Sequence, residues 1–313
     1  MNQTKKITIK APATVANLVC GFDILGLALQ DPGDIMEVSL REEPGIRIRH
    51  RDGYQLPVEP QQNVAGASLI ALLEELRQPI GFDVLIDKRI KPGSGLGSSA
   101  ASSAGAVVAA NHLLGGRFTP TDLVRFAMNG EKVASGVKHA DNIAPCIYGG
   151  VTLIRSILPL DIVRLDAPPL YVTVVHPQIE VRTSDARQIL RKEVQLKSAI
   201  RQWGNIAGLV TGLLRGDYEL IGRSLEDVII EPVRSILIPG FDEVKARSRE
   251  AGALGGGISG SGPSLFMLSR QEETARDVER QMADVYNRLG VDYRTYVTGI
   301  NRGGVEIIHP KES

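Results

Sequence analysis

Glycines and serines crowd one short segment, residues 91–99, which reads KPGSGLGSS and leads directly into the small-residue run AASSAGAVVAA. Glycines let a backbone approach an anion without interference from Cβ atoms. The first free N–H groups of a following helix then point at that anion with the positive end of the helix dipole. The segment therefore predicts a nucleotide-phosphate site near residues 93–100.

Two common phosphate loops are excluded. A Walker loop needs a lysine directly after its last glycine, and this loop has no lysine after Lys91 at its start. The dinucleotide fingerprint needs a third glycine where Ser98 stands, so NAD or FAD binding is not expected. The phosphate charge must then be compensated by a metal ion or a distant side chain, and we expect a carboxylate elsewhere that holds Mg²⁺.

Composition indicates a globular, small-molecule-binding protein. The chain has 313 residues, 43% of them hydrophobic, which is enough for two domains with cores of their own. With 36 basic and 36 acidic residues, no net charge attracts it to nucleic acid or to an anionic membrane. The two cysteines, Cys20 and Cys146, form no paired motif, and the N-terminus has no signal-peptide pattern. We therefore expect a cytoplasmic protein without nucleic-acid or membrane partners.

The elements that must position the loop alternate between strands and helices. The hydrophobic pattern predicts the following elements before residue 160: strands over 6–11, 34–40, 46–50, 82–87 and 151–155, and helices over 63–76, 98–114 and 120–135. Two prolines at residues 168 and 169 suggest a domain boundary, which divides the chain into residues 1–167 and 168–313.

The second half is predicted to be a layered α+β domain. We expect these elements in it: strands over 170–176, 264–268, 294–298 and 305–309, and helices over 183–193, 195–214, 217–228, 240–251 and 272–289. A second glycine-rich loop, GGGISGSGP over residues 255–263, lies between a helix and a strand. By themselves, these glycines could form a plain tight turn between the helix and the strand.

Three segments together resemble the GHMP family of small-molecule kinases: residues 12–23 (PATVANLVCGFD), 92–99 and 255–263. The pieces PATVAN, GFD and HADNIAP, the last over residues 139–145, are similar to the members that phosphorylate homoserine. Val19-Cys20 departs from the Gly-Pro pair that is common there. The resemblance covers about residues 7–268.

This resemblance implies an α+β, two-domain GHMP kinase fold, with an N-terminal ribosomal-protein-S5-like β-α-β domain and a C-terminal ferredoxin-like α/β domain. It implies ATP-dependent phosphorylation of L-homoserine to O-phospho-L-homoserine in threonine synthesis, with ATP and Mg²⁺ as cofactors and a possible homodimer. The implied ATP site consists of Lys91, Pro92, Gly93, Ser94, Gly95, Leu96, Gly97, Ser98, Ser99, Ala100 and Ala101.

Glu131 is the predicted metal carboxylate. It lies on a small, apolar helix stripe, where a bare carboxylate is unfavourable unless it meets a cation. The resemblance implies Mg²⁺ there, with Ser98 as a second ligand. A surface glutamate paired with Lys132 or Lys138 is the alternative.

The substrate residues follow from the same resemblance, because a zwitterion needs a guanidinium for its carboxylate and a carboxylate for its ammonium. It implies that Arg187 and Arg234 bind the carboxylate and that Asp23 and Asn17 bind the ammonium and hydroxyl. Further substrate contacts are expected from Thr183, His139 and Gly260. The alternatives are solvated surface arginines and, for Asp23, a turn or helix cap.

Asp141 and Asn142 leave two mechanisms open. Asp141 could take the hydroxyl proton as a base, or the site could only align the substrate, with the proton lost to phosphate or water. His139 could instead be a core histidine. Two other functions also stay open: a GHMP kinase for another alcohol, such as mevalonate, and a regulator that binds ATP or an amino acid without catalysis.

Overall fold

The computed structural model describes residues 6–181 and 183–308, including all their side chains except those of residues 183 and 184. A seven-stranded sheet dominates the first half, with the order β11-β1-β2-β4-β3, while β5 pairs with both β2 and β6. Its strands are β1 (Lys6–Ala16), β2 (Leu25–Arg41), β3 (Gly45–His50), β4 (Gly81–Asp87), β5 (Val151–Ile157), β6 (Leu160–Leu165) and β11 (Glu306–Ile308). All pairs are antiparallel except β3 with β4.

Four helices accompany this sheet: α1 (Val64–Leu76), α2 (Ser98–Leu113), α3 (Pro120–Ser135) and α4 (Ile143–Tyr148). Helix α2 packs on β1 and β2, and its alanines and serines allow a close approach. A Cβ at Gly105 would lie 2.7 Å from the Met36 sulfur, so this spacing requires a glycine. The packing fixes the N-terminus of α2, where the predicted phosphate loop ends.

The second sheet is antiparallel, with the order β10-β7-β9-β8. Its strands are β7 (Tyr171–Pro177), β8 (Gly255–Ile258), β9 (Leu265–Ser269) and β10 (Tyr293–Gly299). The helices of this half are α5 (Thr183–Gln188), α6 (Leu196–Arg215), α7 (Tyr218–Ser224), α8 (Glu231–Arg234), α9 (Phe241–Glu250) and α10 (Glu272–Leu289), and a 3₁₀ turn follows α8 over Ser235–Leu237. Helix α10 packs on β7 and β9.

The α+β class is confirmed, whereas several element bounds are wrong. The helix predicted over 183–193 ends at residue 188, the one predicted over 217–228 ends at residue 224, and α4, α8 and β6 were not predicted. The second glycine loop begins as strand β8. Glycines stand in that strand because a Cβ at Gly256 would lie 1.9 Å from the Phe266 carbonyl oxygen.

The last described strand returns to the first half of the molecule. β11 pairs with β1, although it was predicted as the end of the second domain. His309, the last residue of that predicted strand, lies outside the described residues. The division at residue 167 therefore stays a prediction. None of the helices within residues 6–181 and 183–308 is long and apolar enough to cross a membrane.

Candidate active site

A cleft of about 410 Å³ gathers most of the predicted site residues from both halves of the chain. Those that line it are Asn17, Asp23, Pro92, Gly93, Ser94, Gly95, Gly97, Ser98, Ser99, Glu131, His139, Asp141, Asn142, Arg187, Arg234 and Gly260. These residues are up to 243 positions apart in sequence, as in the hydrogen bond from Asn17 to Gly260. Their convergence on one concave surface makes this cleft the candidate active site.

Four predicted residues do not line the cleft, and a fifth is described only in part. Leu96 of the loop is buried, as are Ala100 and Ala101 in the first turn of α2, and none of the three lines the cleft. The Lys91 ammonium donates to the Gln178 side chain at 2.8 Å, so this lysine ties the loop to the residue that directly follows β7. The fifth residue, Thr183, begins α5, and its side chain is outside the described part of the structure.

The phosphate loop is built on three glycines in the left-handed region. Gly93, Gly95 and Gly97 have φ angles of 74°, 79° and 66°. The second glycine loop packs against it, since the Ser259 hydroxyl donates to the Gly95 carbonyl at 2.7 Å. A Cβ at Gly95 would lie 2.6 Å from the Gly262 carbonyl oxygen. The two glycine loops therefore pack directly on each other.

Asn142 is fixed beneath the start of α2. The Thr14 hydroxyl donates to its amide oxygen at 2.7 Å, and a Cβ at Gly97 would lie 2.0 Å from that same hydroxyl. An amide cannot accept a proton from an alcohol, and here its oxygen is already engaged. Asn142 can therefore donate hydrogen bonds into the cleft but cannot serve as a base.

Lys88 is a cleft residue that the sequence did not reveal. Its buried ammonium lies 2.5 Å from an Asp34 carboxylate oxygen, 2.6 Å from the Ser98 carbonyl and 3.0 Å from the Ser102 hydroxyl. All three donors of this ammonium are used inside the protein, so Lys88 fixes the first turn of α2 and has no free donor for a phosphate. Asp34 and Lys88 are 54 positions apart, so only the pairing of β2 with β4 brings them together.

Glu131 faces the N-terminus of α2. Its carboxylate accepts a hydrogen bond of 2.8 Å from Ser99, whereas the Ser98 hydroxyl donates to the Ile90 carbonyl at 2.8 Å. Burial raises the pKa of Glu131, and the hydrogen bonds from Ser99 and Ser135 oppose that rise. A carboxylate beside serine oxygens is a hard donor set that suits Mg²⁺. The assignment of Ser98 as a metal ligand stays a prediction.

The substrate end of the cleft is formed by an unusual turn. Asn17, Leu18 and Val19 all have positive φ angles, of 74°, 42° and 65°, and Asp23 follows with 62°. The Asn17 amide stabilises this turn, because its oxygen accepts from the Asp23 backbone N–H and its nitrogen donates to the Gly260 carbonyl. Strained residues of this kind concentrate at functional sites. Val19 belongs to the Val19-Cys20 pair, which stands where the resembled family commonly has Gly-Pro.

Two guanidinium groups lie beside Asp23 at this end. Arg187 donates to both Asp23 oxygens, at 2.9 and 3.1 Å, and Arg234 donates to the Gly260 carbonyl at 3.0 Å. Both stack on the Phe22 ring, with distances to its centroid of 5.6 and 4.9 Å. Burial and the nearby Arg187 charge lower the pKa of Arg234 to about 10. Phe22 belongs to the GFD motif, but the sequence did not predict it as a site residue.

Asp141 and His139 complete the polar lining. Burial raises the pKa of Asp141 to about 7, and the carboxylates of Asp23 and Glu131 add to the rise. His139 has its Nδ1 atom 3.6 Å from an Asp23 oxygen, and burial lowers its pKa. Its Nε2 atom is buried, and no hydrogen-bond partner for it exists among the described residues. A ligand donor or acceptor in the cleft would satisfy it.

Helix α8, which carries Arg234, is held by buried charges that the sequence did not suggest. The Asp227 carboxylate accepts from three successive backbone N–H groups, those of residues 229, 230 and 231. The Glu231 carboxylate pairs with Lys245 and accepts from the Ile258 backbone N–H at 3.3 Å. Arg234 itself donates to the Ala186 carbonyl at 2.9 Å, which links α8 to α5.

Part of the cleft lining is apolar, and the sequence did not indicate it either. Leu56, Pro57, Val64 and Val133 line it together with Gln62. They come from the chain before α1, from α1 itself and from α3. The cleft lining thus combines apolar, glycine-rich and charged parts.

Comparison with known proteins places this cleft in a family. The family models for the N-terminal and C-terminal GHMP kinase domains match residues 63–150 and 209–288. The homoserine kinase of Chloroherpeton thalassium is 46% identical over 97% of this chain and 100% of its own length. The chain belongs to the homoserine kinases of the GHMP family. The resemblance seen in the three sequence segments is confirmed, as is the two-domain GHMP kinase fold.

Other homoserine kinases agree with this assignment. The enzyme of Pyrococcus abyssi is 40% identical over 95% of this chain and 98% of its own. The crystal structure of homoserine kinase from Cytophaga hutchinsonii superposes with a TM-score of 0.94 at 47% identity, covering 98% of this chain and 99% of that one. Mevalonate kinase from L. major, in complex with R-mevalonate, has a TM-score of 0.71 at 16% identity over 96% of this chain and 97% of its own, which shows a shared fold.

Proposed function

We propose that this chain transfers the γ-phosphoryl group of ATP to the side-chain hydroxyl of L-homoserine, giving O-phospho-L-homoserine and ADP in threonine biosynthesis. The observation that carries the proposal is the charge pattern of the cleft. Two guanidinium groups and one carboxylate, those of Arg187, Arg234 and Asp23, lie together at one end. That set matches a small zwitterion with a carboxylate and an ammonium.

The nucleotide occupies the other end of the cleft in this proposal. The glycines at 93, 95 and 97 expose backbone N–H groups, and the free N–H groups at the start of α2 add the positive end of a dipole. The apolar side chains of Leu56, Pro57 and Val133 offer a surface for the base. Lys88, paired with Asp34, holds the first turn of α2 in place beneath the loop.

Glu131 and Ser98 would hold Mg²⁺, with the Ser99 hydroxyl orienting the Glu131 carboxylate. The bound ion would neutralise charge on the β- and γ-phosphates during transfer. The residues fit it: the buried Glu131 carboxylate and the neighbouring Asp141 repel each other, and a cation held by Glu131 would relieve that repulsion.

Catalysis is then mainly a matter of alignment. Arg187 and Arg234 bind the substrate carboxylate, Asp23 and Asp141 bind its ammonium, and the Asn142 amide donates to the reacting oxygens. We propose that the hydroxyl proton is lost to the transferred phosphate or to water, because a loose phosphoryl-transfer transition state gains little from early deprotonation. Base assistance by Asp141 is the competing mechanism. The kinetics of the Asp141→Asn variant distinguish the two mechanisms.

The alternatives are less well supported. Mevalonate-like alcohols and shikimate-like acids carry no ammonium, so they would leave Asp23 without a partner other than Arg187. A regulator without activity would not need the metal carboxylate, yet Glu131 is present and faces the phosphate loop. We further propose a cytoplasmic homodimer as the working form.

A coupled ADP-release assay tests the proposal over a panel of L-homoserine, mevalonate, shikimate and galactose at equal concentrations. We expect ATP turnover with homoserine and at most background rates with the other three. Preferential turnover of mevalonate would instead support a GHMP kinase that acts on another alcohol. Tight ATP binding without turnover of any substrate would support the regulator.

A further inference from the structure

Gln202 is a buried amide on α6 that contacts two segments of the substrate end. Its side-chain nitrogen donates to the Cys20 carbonyl at 2.8 Å, and its side-chain oxygen accepts from the Val228 backbone N–H at 3.1 Å. The residue is 5% exposed, and it lies outside the lining of the cleft. Any effect of Gln202 on the reaction must therefore pass through the two segments that it joins.

The first segment is the turn over residues 17–23, which carries Asp23. Four of its residues have positive φ angles, and a backbone of this kind persists only where surrounding contacts fix it. The Cys20 carbonyl points into the interior, where a carbonyl needs a hydrogen-bond donor. Gln202 supplies that donor from 182 positions away in the sequence, so α6 holds the turn in place.

The second segment is the loop over residues 225–230, which leads into α8 and its Arg234. The Asp227 carboxylate fixes the local shape of this loop through the backbone N–H groups of residues 229, 230 and 231. Those bonds span at most four positions, so they cannot set the distance between the loop and the turn. The hydrogen bond from Val228 to Gln202 sets that distance, because the same amide also binds the turn.

Packing alone does not fix the separation of the two segments. Side chains from both of them line a small cavity of about 10 Å³, roughly the space of one water molecule. On the cleft side, the Asn17 amide and the Arg234 guanidinium both donate to the Gly260 carbonyl, at 2.9 and 3.0 Å. The separation thus depends on directed hydrogen bonds, those at Gly260 and those at Gln202.

We propose that Gln202 is a positioning residue for the substrate, because it fixes the separation of Asp23 on the turn from Arg234 on α8. This inference rests on the proposed function, in which these groups bind the ammonium and the carboxylate of homoserine. A small substrate held at both ends needs the two charges at one separation, and a displacement of about 1 Å can cost roughly 100-fold in rate. The nucleotide binds to the glycine loop, which Gln202 does not contact.

Gln202→Met tests the inference, because methionine is also long and unbranched but makes neither hydrogen bond. We expect the homoserine KM to rise about tenfold or more, while kcat at saturation and the ATP KM change less than about twofold. The matched control is Asn205→Leu on the same helix. Asn205 donates to the Glu226 carbonyl at 2.8 Å, so this variant loses a bond to the loop but leaves the turn bound. Its homoserine KM should change less than about twofold.

Gln202→Glu restores the hydrogen-bond pattern only while the new carboxyl is protonated. A neutral carboxyl has a donor for the Cys20 carbonyl and an acceptor for the Val228 N–H, whereas a carboxylate has no donor and repels the carbonyl. Burial raises the pKa of such a carboxyl, so it should be neutral at about pH 6 and charged at about pH 8.5. Relative to the unmodified chain at the same pH, the homoserine KM should be near normal at the lower value and raised at the higher one.

Hydrogen exchange measured by mass spectrometry gives a readout that does not depend on activity. The amides of residues 17–25 should exchange at least about tenfold faster in Gln202→Met than in the unmodified chain, and those of α2 should not change. Asn205→Leu should leave the exchange of residues 17–25 as it is. Unchanged exchange of this turn in Gln202→Met would contradict the inference.

The kinetics can overturn the inference in two further ways. A folded Gln202→Met with an unchanged homoserine KM would limit Gln202 to a structural role, even if the Tm fell. If Gln202→Met does not fold, Gln202→Glu decides, and a homoserine KM equally raised at both pH values would exclude the positioning role. An unmodified chain without homoserine turnover would contradict the proposed function instead, and hydrogen exchange would still show whether Gln202 holds the turn.

Discussion

Arg187 and Asp23 form an ion pair inside the cleft, with the Arg187 Nη2 atom 2.9 and 3.1 Å from the two Asp23 oxygens. These are the two charges that we propose bind opposite ends of one substrate. A zwitterion offers a carboxylate to Arg187 and an ammonium to Asp23, so it can replace the internal pair without leaving either charge unmatched. A ligand with only one of the two charges cannot do this.

Removing the Asp23 charge should weaken homoserine binding selectively. We expect Asp23→Asn to raise the homoserine KM by about 10- to 100-fold, because a charge-assisted contact to the ammonium is lost. The KM for ATP should change less than twofold. Steady-state kinetics with each substrate varied in turn measure both values. Asp161→Asn, which alters an exposed Arg155 pair, is the control. An equal rise of both KM values would contradict the assignment.

Glu131→Gln should preserve the fold and lower kcat by roughly 10²- to 10³-fold, because no lysine follows the last glycine of the loop to share the phosphate charge. Raising the Mg²⁺ concentration should restore part of the rate. The exposed Glu75→Gln should behave like the unmodified enzyme. If Ser98 is the second ligand, Ser98→Ala should raise the Mg²⁺ requirement more than Ser99→Ala. Normal turnover of Glu131→Gln would show that the metal is bound elsewhere.

Asp141→Asn separates the two mechanisms. If Asp141 binds the ammonium, as we propose, the homoserine KM should rise while kcat stays within a few-fold. A general base would instead contribute about 10²- to 10⁴-fold to kcat. A hundredfold fall in kcat at unchanged KM would therefore assign Asp141 as the base.

The same variant should have a pH-dependent stability. The folded-state pKa of Asp141 is about 7, above its ordinary 3.8, so the folded protein holds this proton more tightly than the unfolded chain. The stability from that proton is complete below about pH 4 and is lost as the pH rises through 7. Asparagine avoids this loss, so Asp141→Asn should raise the Tm more at pH 8.5 than at pH 5. An equal Tm difference at both values would argue against a buried, protonated carboxyl.

Glu231 tests whether the buried charges under α8 serve substrate binding. We expect Glu231→Gln to raise the homoserine KM about tenfold, because the loss of its Lys245 pair lets α8 and its Arg234 shift. The kcat at saturation and the ATP KM should change little. Glu243→Gln, an exposed glutamate on α9, is the control. A fall in Tm without any KM change would give Glu231 a purely structural role.

The sequence predicted the parts of the site that are local in the chain. Glycines before a small-residue helix indicate a phosphate loop, and an isolated Glu131 on an apolar stripe indicates a cation. Lys88 could not be found in this way, since its partner Asp34 is 54 positions away and meets it only through strand pairing. Helix α8 has four residues and is held by tertiary contacts, so no periodicity marks it.

Glycines also misled the prediction in one place. The run at 255–257 has the composition of a loop, yet it forms β8. A Cβ at Gly256 would lie 1.9 Å from the Phe266 backbone oxygen, so this glycine is required by close packing and not by a turn. Composition alone does not show whether a glycine is required by a turn or by close packing in a strand.

The central claim is that the cleft selects a zwitterionic alcohol and phosphorylates its hydroxyl. Initial rates of ADP release with L-homoserine, 4-hydroxybutyrate and 3-aminopropan-1-ol test it most directly, because the two analogues keep the reacting hydroxyl and lack the ammonium or the carboxylate. We predict turnover of homoserine and a kcat/KM at least about 100-fold lower for each analogue. Equal kcat/KM values for homoserine and either analogue would contradict the account.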